Sequence, residues 1–523
     1  MSSSHTQGFS SQVALQVCFA CKQHKRKCDK KLSGCSPCRK MGRECQYLSS
    51  PPAAQEISRL KKKLRRLERS MADDASVAAA GAVVDPRPFL HSATGPGPVI
   101  EDKLGSHSPA VSDPFRYAQL RTSFVNNTVS TEVSKFFSDP KYQNHTWNSY
   151  FRTVHVWMPV ISRSRFSALI ATEQINSHSD VNLLLLCLSL CVQIPVDATI
   201  DNMRTSLYAK AKSLYAMLES AGITTIRTVQ SSLVICIYEF GHGLVEAASI
   251  TIGSCTRAGM VLGIHKHSST DLRAEPEHWE EREEERRVWC GIVILDRCIS
   301  LHQDHDQFVA LGPSLQDHLP VDDRLWEQGI MTQDAPLNLS TPWGTRVGPF
   351  AREVQASHLL GRVLNHAYTS VSDTLFLQEE AAVLNRALIT LKTLIPQEMD
   401  ADAMYCGVSS LCLSALMLLR GSQHGEQGSL DRNNTSLAEA ADMIVELAYT
   451  FPTMAARLDM ESFSPFVPYM LYQAAIVQAR TLRVSGTISC VEAYEAIVKM
   501  LHAFNERWKI AEYYLVLLEA PLI

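Results

Sequence analysis

The chain has 523 residues, 46% of them apolar and 20% charged, with a formal net charge of −4. This length and balance predict two to four globular domains and exclude both a chain too polar to fold and a short disulfide-stapled module. The longest apolar run, Leu183 to Val192, is about half of what a bilayer requires, so no membrane span is predicted. The charge is unevenly spread. Residues 1–71 hold 16 Lys or Arg against 4 Asp or Glu, net +12, and the remainder holds 34 against 50, net −16. A basic head on an acidic body implies that only the head meets a polyanion.

Residues 1–17 are Ser- and Gln-rich and predict a disordered amino terminus. They hold no Lys or Arg and no long apolar core, so no secretory signal is expected. Residues 18–45 read C-F-A-C-K-Q-H-K-R-K-C-D-K-K-L-S-G-C-S-P-C-R-K-M-G-R-E-C. Six cysteines, Cys18, Cys21, Cys28, Cys35, Cys38 and Cys45, are separated by two, six, six, two and six residues. The second triplet repeats the first at a shift of 17, which implies one local unit used twice.

Two residues between cysteines put both sulfurs on one side of a tight turn, where they can grip one ion. Zinc takes four ligands tetrahedrally, and thiolates suit it. One zinc would leave two of the six sulfurs idle, and two separate sites would need eight. Six thiolates fill two sites only if two sulfurs bridge, and the pseudo-symmetric choice is Cys18 with Cys35. No position stays open for water or substrate, so the predicted two Zn2+ ions are structural. So short a stretch cannot bury a stabilising core, and metal binding must supply its folding energy. The other readings of these cysteines are a disulfide scaffold, which needs an oxidising compartment, and a zinc-stabilised protein–protein module.

Charge distinguishes the two halves. Between Cys21 and Cys35 lie Lys22, Lys25, Arg26, Lys27, Lys30 and Lys31 against Asp29, whereas the second half has Arg39, Lys40 and Arg43 against Glu44. The first half should therefore face phosphates. Guanine presents two acceptors, O6 and N7, in the major groove, and a lysine can donate to both.

The six-cysteine spacing resembles the fungal zinc binuclear cluster family of transcription factors. The resemblance implies that Cys18 and Cys35 bridge, and that the first short helix enters the major groove of double-stranded DNA at a CGG triplet. It places Lys25 at the base-reading position and Lys22 and Lys27 at backbone-contacting positions; Arg26, beside them in the basic run, is expected to join them in holding phosphates or flanking bases. His24 stands where a second Arg or Lys is common. The loop before Cys35, Lys31-Leu32-Ser33-Gly34, lacks the proline of many relatives.

Residues 46–56 form a linker kept extended by Pro51 and Pro52. Residues 57–71 follow a heptad pattern with Ile57, Leu64 and Met71 at a and Leu60 and Leu67 at d. Ile at a with Leu at d leans toward a parallel coiled-coil homodimer. The register also sets Glu56 against Lys61 and Lys63 against Glu68 of a partner helix. The competing reading is a lone basic amphipathic helix serving nuclear import, and the same lysines can do both. Residues 72–115 turn Ala-rich, then Pro/Gly/Ser-rich, and predict a flexible linker.

From 116 to 523 apolar residues recur at three- and four-residue steps, which predicts a large all-α body and a mainly α fold class for the chain. Predicted helices span roughly 128–138, 163–175, 180–192, 202–221, 225–240, 244–264, 276–302, 349–371, 376–394, 404–421, 436–450, 464–484 and 488–518. In the helix at 276–302, seven glutamates between 275 and 285 complement the positive end of the dipole. Residues 304–347 predict a long irregular connection. The nine remaining cysteines are scattered, mostly in apolar runs, and read as buried thiols.

This body resembles the helical middle homology region of the same family at Y-F-R-T-V-H-V-W-M-P-V-I (150–161), A-G-M-V-L-G-I-H (258–265) and E-R-R-V-W-C-G-I-V-I-L-D-R (285–297). It departs where a Gly-Arg-Pro motif often follows, reading L-H-Q-D-H-D-Q at 301–307. The resemblance implies a regulatory domain open to a small-molecule effector or coactivator, without catalytic residues. Other candidate chemistry is weak. His302, Asp304, His305 and Asp306 match no zinc pattern, Gly241-His242-Gly243 lacks a dinucleotide loop's third glycine, and Asp322-Asp323 lacks the partner carboxylate of a helical cyclase site. Asp296-Arg297 reads as a structural ion pair. The expected function is a nuclear, CGG-reading transcription regulator, an RNA polymerase II activator resembling regulators of biosynthetic gene clusters. The alternatives are a zinc-stabilised interaction scaffold and a helical enzyme, which lacks a metal motif.

Overall fold

The structure, a computed structural model, describes residues 17–23, 27–31, 34–43 and 45 near the amino terminus. From 114 to 520 it describes all but 138, 172–177, 197–198, 270–271, 275, 304, 333, 369–373, 399–405, 423–429 and 458. Residues 1–16, the linker at 46–56, the heptad segment 57–71 and residues 72–113 of the linker expected at 72–115 lie outside the described residues, while Pro114 and Phe115 belong to a helix. The chain divides into two units, Met1–His107 and Ser108–Ile523.

Among its described residues the first unit carries two helices of five residues, α1 (Phe19–Gln23) and α2 (Ser36–Lys40). Helices this short do not hold alone in water. Each begins beside a Cys-x-x-Cys pair, and α2 starts from an extended Cys35 with Pro37 in its first turn. It stops at Gly42, whose φ of +59° suits a residue without Cβ. There the Arg43 N–H reaches back to the carbonyl of Cys38 at 3.0 Å.

In the second unit, α3 (Pro114–Phe136), α4 (Pro140–Arg152), α5 (Arg163–Ala171) and α6 (Ser179–Val192) come first. They are followed by α7 (Ser206–Ser220), α8 (Ile226–Gly241), α9 (Val245–Leu262) and α10 (Trp279–His302). After a short α11 (Asp323–Glu327) come α12 (Pro349–Tyr368), α13 (Thr374–Glu398), α14 (Cys406–Ser422) and α15 (Leu430–Ala455). The last three are α16 (Val467–Ser485), α17 (Ile488–Asn505) and α18 (Ile510–Glu519). No strand occurs among the described residues, and no helix among them is long and apolar enough to cross a membrane.

Helix starts follow local chemistry. Thr225 caps α8 in a reciprocal box with Thr228, and Thr205 accepts from the Tyr208 N–H at 3.1 Å to open α7. The apolar run at 183–192 forms α6, nearly all of it buried against α4 and α8. The most extensively packed helix pairs are α8 with α9, α12 with α14, and α16 with α17, while α10 touches α8, α9 and α12. One contiguous core runs from Val125 to Leu518. Among the described glycines the tightest seat is Gly241, where a Cβ would lie 2.3 Å from Cε3 of the buried Trp508.

Several boundaries differ from the expectation. The first helix starts at Pro114, not 128, and α4 was not expected. It opens with Asp139 accepting from the Lys141 N–H at 2.8 Å and Pro140 in the first turn, but its polar residues carry weak periodicity. The span expected as 488–518 is two helices broken at 506–509. The connection 304–347 is not wholly irregular, since it holds α11 and an antiparallel bridge between His318 and Asn338. The acidic run on α10 has a second role. Glu280 and Glu281 lie in the first turn, but Glu283 and Glu284 are fully buried and ion-paired.

Candidate metal centre and nucleic-acid interface

The two Cys-x-x-Cys pairs build the site by the same local rule. At α1 the Cys21 N–H points to the Cys18 sulfur at 3.4 Å, and the Lys22 N–H bonds the Cys18 carbonyl at 3.0 Å. At α2 the Arg39 N–H bonds the Cys35 carbonyl at 3.0 Å. The first turn of each helix thus turns two sulfurs inward. Cys45 returns to the centre, its sulfur accepting from the Cys35 N–H at 3.2 Å.

The sulfurs form two sets of four, Cys18, Cys21, Cys28 and Cys35, and Cys18, Cys35, Cys38 and Cys45. All ligand atoms within a set lie within 4.8 Å of one another. Cys18 and Cys35 belong to both sets, with their sulfurs 3.6 Å apart. Cys18–Cys38 and Cys21–Cys35 are each 3.5 Å, and Cys21–Cys38 is 3.8 Å. A tetrahedral ion with Zn–S bonds of about 2.3 Å puts its sulfurs about 3.8 Å apart, so the spacing fits zinc. Burial pushes the Cys18 thiol up to about 12 and the Cys35 thiol further up. For Cys28 burial acts upward too, but bonds from the Cys18 and Lys30 backbones outweigh it and bring the thiol down to about 7. Ions at the two centres would hold these sulfurs in the thiolate form and offset the charge of the crowded set.

The basic loop closes against α2 through Asp29. Its carboxylate accepts the Ser36 N–H at 3.0 and 3.2 Å and pairs with the Ser36 hydroxyl, which holds it below the usual carboxylate range. Asp29 therefore acts as an anchor across the two triplets, a role that its charge alone did not reveal. Lys30 adopts a left-handed backbone, φ +60°, which turns the chain toward that anchor. Lys22, Lys27 and Lys31 are exposed. His24, Lys25 and Arg26, expected to meet DNA, lie outside the described residues. So do all five heptad positions, Ile57, Leu60, Leu64, Leu67 and Met71.

In the second unit the weaker candidates have structural partners. His302 Nδ1 meets the Tyr514 hydroxyl at 2.6 Å and His305 Nε2 meets Gln303 at 3.0 Å, while Asp304 lies outside the described residues. Gly241 seats Trp508, and His242 Nδ1 accepts the Lys509 N–H at 3.5 Å. Asp322 caps α11 by accepting the Arg324 N–H at 3.0 Å, and Asp323 pairs with Arg287 at 2.6 Å. Asp296 and Arg297 form a buried ion pair. Among the described residues, the metal-competent groups are the two cysteine sets.

Comparison with known proteins agrees with this division. Residues 16–54 match the family model of the fungal Zn(2)-Cys(6) binuclear cluster domain, and residues 147–389 match that of the fungal specific transcription factor domain. Transcription factor BOA15 of Botryotinia fuckeliana is 35% identical over 160 residues, 30% of this chain and 86% of that protein. An uncharacterized transcriptional regulatory protein of Schizosaccharomyces pombe is 25% identical over 335 residues, 54% of this chain and 52% of that protein. The cluster match and the two four-sulfur sets agree on two Zn2+ ions as the cofactor.

Proposed function

This chain belongs to the fungal transcription factors built on a Zn(2)-Cys(6) binuclear cluster, and we propose that within that family it reads CGG-type half-sites in double-stranded DNA. The observation that carries the reading is the pair of four-sulfur sets sharing Cys18 and Cys35, with Lys22 and Lys27 exposed on the helix and loop between Cys18 and Cys28. The two zinc ions supply the folding energy that holds this basic half rigid. Cys18, Cys21, Cys28, Cys35, Cys38 and Cys45 are the ligands. Lys25 donates to guanine O6 and N7, while Lys22, Arg26 and Lys27 neutralise phosphates or flanking bases, and His24 takes a neighbouring position.

Residues 57–71 pair two copies through Ile57, Leu60, Leu64, Leu67 and Met71, and the linker at 46–56 sets half-site spacing. The acidic helical body stays off the DNA and carries regulation. The protein acts in the nucleus as an RNA polymerase II activator, in the manner of regulators of biosynthetic gene clusters. The test is a gel shift with the full chain on CGG and scrambled duplexes at several salt concentrations. Lys25→Ala should lose discrimination for CGG by about 1–3 kcal/mol with zinc content unchanged. Equal affinity of the unaltered protein for both duplexes would instead support a zinc-stabilised interaction scaffold.

A further inference from the structure

A cavity of about 200 Å3 lies in the helical body between the start of α10, α11 and the connection at 330–348. An apolar cavity of about 150 Å3 takes a benzene ring, so this one has room for a ring with a short substituent or a second fused ring. Its apolar wall is built by Trp279, Leu319, Leu325, Met331, Pro336 and Val347. Leu319 and Val347 are buried, and the other four are half-buried. Trp279 opens α10 and Leu325 lies on α11, so two helices fix the wall together with the connection.

The polar groups around this wall are already engaged. Arg286, 1% exposed, donates from Nη1 to Glu283 Oε2 at 2.9 Å. Glu283 Oε1 accepts from Arg287 at 2.8 Å and from the Val321 N–H at 2.9 Å. Arg287 continues to Asp323 at 2.6 Å, and Asp322 accepts the Arg324 N–H at 3.0 Å. The Leu319 N–H donates to the Leu337 carbonyl at 2.8 Å, and Pro320 and Pro336 have no N–H to satisfy. The other charged groups of the lining, Arg273, Asp334 and Arg346, are exposed and can stay hydrated at the rim. These four arginines stand with four carboxylates, Glu283, Asp322, Asp323 and Asp334, so no net charge is left for a ligand to neutralise.

We propose that this cavity binds a small uncharged aromatic compound, of one substituted ring or two fused rings, held by its apolar surface against Trp279, Leu325 and Met331. A charged ligand would shed water there without finding an unengaged partner, which disfavours it. An uncharged ring exchanges water for apolar contact alone, and an aromatic one also packs on the Trp279 indole. Because α10, α11 and the connection each contribute wall, an occupied cavity holds the three together. The site itself stands on the cavity. Only its consequence, an uncharged effector acting on transcription, rests on the regulator reading above.

The test uses the full chain, titrated by calorimetry and thermal shift. Indole and benzyl alcohol are the neutral probes, and benzoate and benzylammonium are charged counterparts of the alcohol. The neutral probes should bind and raise the unfolding midpoint. Each charged counterpart should bind at least about tenfold more weakly than the alcohol. Ala335→Trp, at an exposed position in the lining, should abolish binding of the neutral probes and leave the ligand-free midpoint unchanged. Met331→Ala widens the wall and should shift selectivity from benzyl alcohol toward the larger naphthol, which a loss of stability alone would not do. Charged counterparts binding as tightly as the alcohol, neutral binding unaltered in Ala335→Trp, selectivity unaltered in Met331→Ala, or no binding of either neutral probe at millimolar concentration would overturn the proposal. A gel shift of the same ligand-free preparations on CGG duplex tests the regulator reading separately.

Discussion

Replacing Glu284 by alanine removes the polar hub that joins three parts of the helical body. Its carboxylate, fully buried on α10, accepts the Ser162 N–H at 2.9 Å, Gln230 Nε2 at 2.9 Å, Arg227 Nη1 at 2.7 Å and Arg165 Nη1 at 2.9 Å. Arg165 has other recourse, since it is 28% exposed and also pairs with Glu281 at 3.3 Å. Arg227 has less. It is 4% exposed, and without Glu284 its guanidinium keeps Gln230 at 2.8 Å but no carboxylate. Leaving a buried charge uncompensated costs about 3–5 kcal/mol. Burying the orphaned Ser162 N–H would add about 1–3 kcal/mol unless water enters the space left by the side chain. The measurement is urea unfolding of the full chain followed at 222 nm and by tryptophan emission. The midpoint should fall by the equivalent of about 4 kcal/mol. Arg227→Met in the same chain should recover part of that loss, because it removes the buried charge that the loss of Glu284 leaves uncompensated. A loss below about 1 kcal/mol in the single variant, or no recovery in the double variant, would refute the view that the buried charge drives the effect.

Gly241→Ala sets a Cβ 2.3 and 2.5 Å from two ring atoms of Trp508, whose indole N–H is fixed to the Phe463 carbonyl at 2.8 Å. The ring cannot retreat freely, so a destabilisation of about 1–3 kcal/mol with altered tryptophan emission is expected in urea titration. Chelating zinc should unfold the cysteine centre with helices α1 and α2, while the helical signal and thermal midpoint of residues 108–523 persist; collapse of both together would contradict the division into two units. Burial holds His302 down at about 4 against the opposing pull of Glu246, and burial with Arg362 and Arg297 holds His358 at about 4. Folded values below the unfolded 6.5 mean that the unfolded chain binds more protons between pH 6.5 and 4. This stabilisation is complete above pH 6.5 and is lost as pH falls toward 4, at a ceiling of about 1.4 kcal/mol per pH unit per histidine. Neither ring is wholly buried, so the measured slope should be smaller. Urea midpoints at pH 7 and 4.5 should differ, and His302→Gln should flatten the difference; an unchanged slope would remove His302 from the account.

What the sequence disclosed depended on how far apart the interacting groups lie along the chain. The cysteine centre is local: two residues between sulfurs suffice to turn both inward at a helix start, and the repeat at 17 residues made Cys18 and Cys35 equivalent. Helices with caps and apolar stripes were equally open to reading, as at Thr225 before α8. The polar α4 was not, because its signal lay in Asp139 and Pro140 rather than in periodicity. The break between α17 and α18 has no glycine or proline. It is held by Arg507, whose guanidinium donates to the Cys191 carbonyl at 2.7 Å, 316 residues away. Glu284 poses the same difficulty, since its partners Arg227 and Ser162 stand 57 and 122 residues away. A run of glutamates at a helix start satisfies the dipole argument whether or not two of them turn inward. Burial decides the matter, and burial is set by which other helices arrive. Pattern therefore discloses chemistry enforced within a turn or two of backbone, and remains silent on charges whose role is fixed by distant partners.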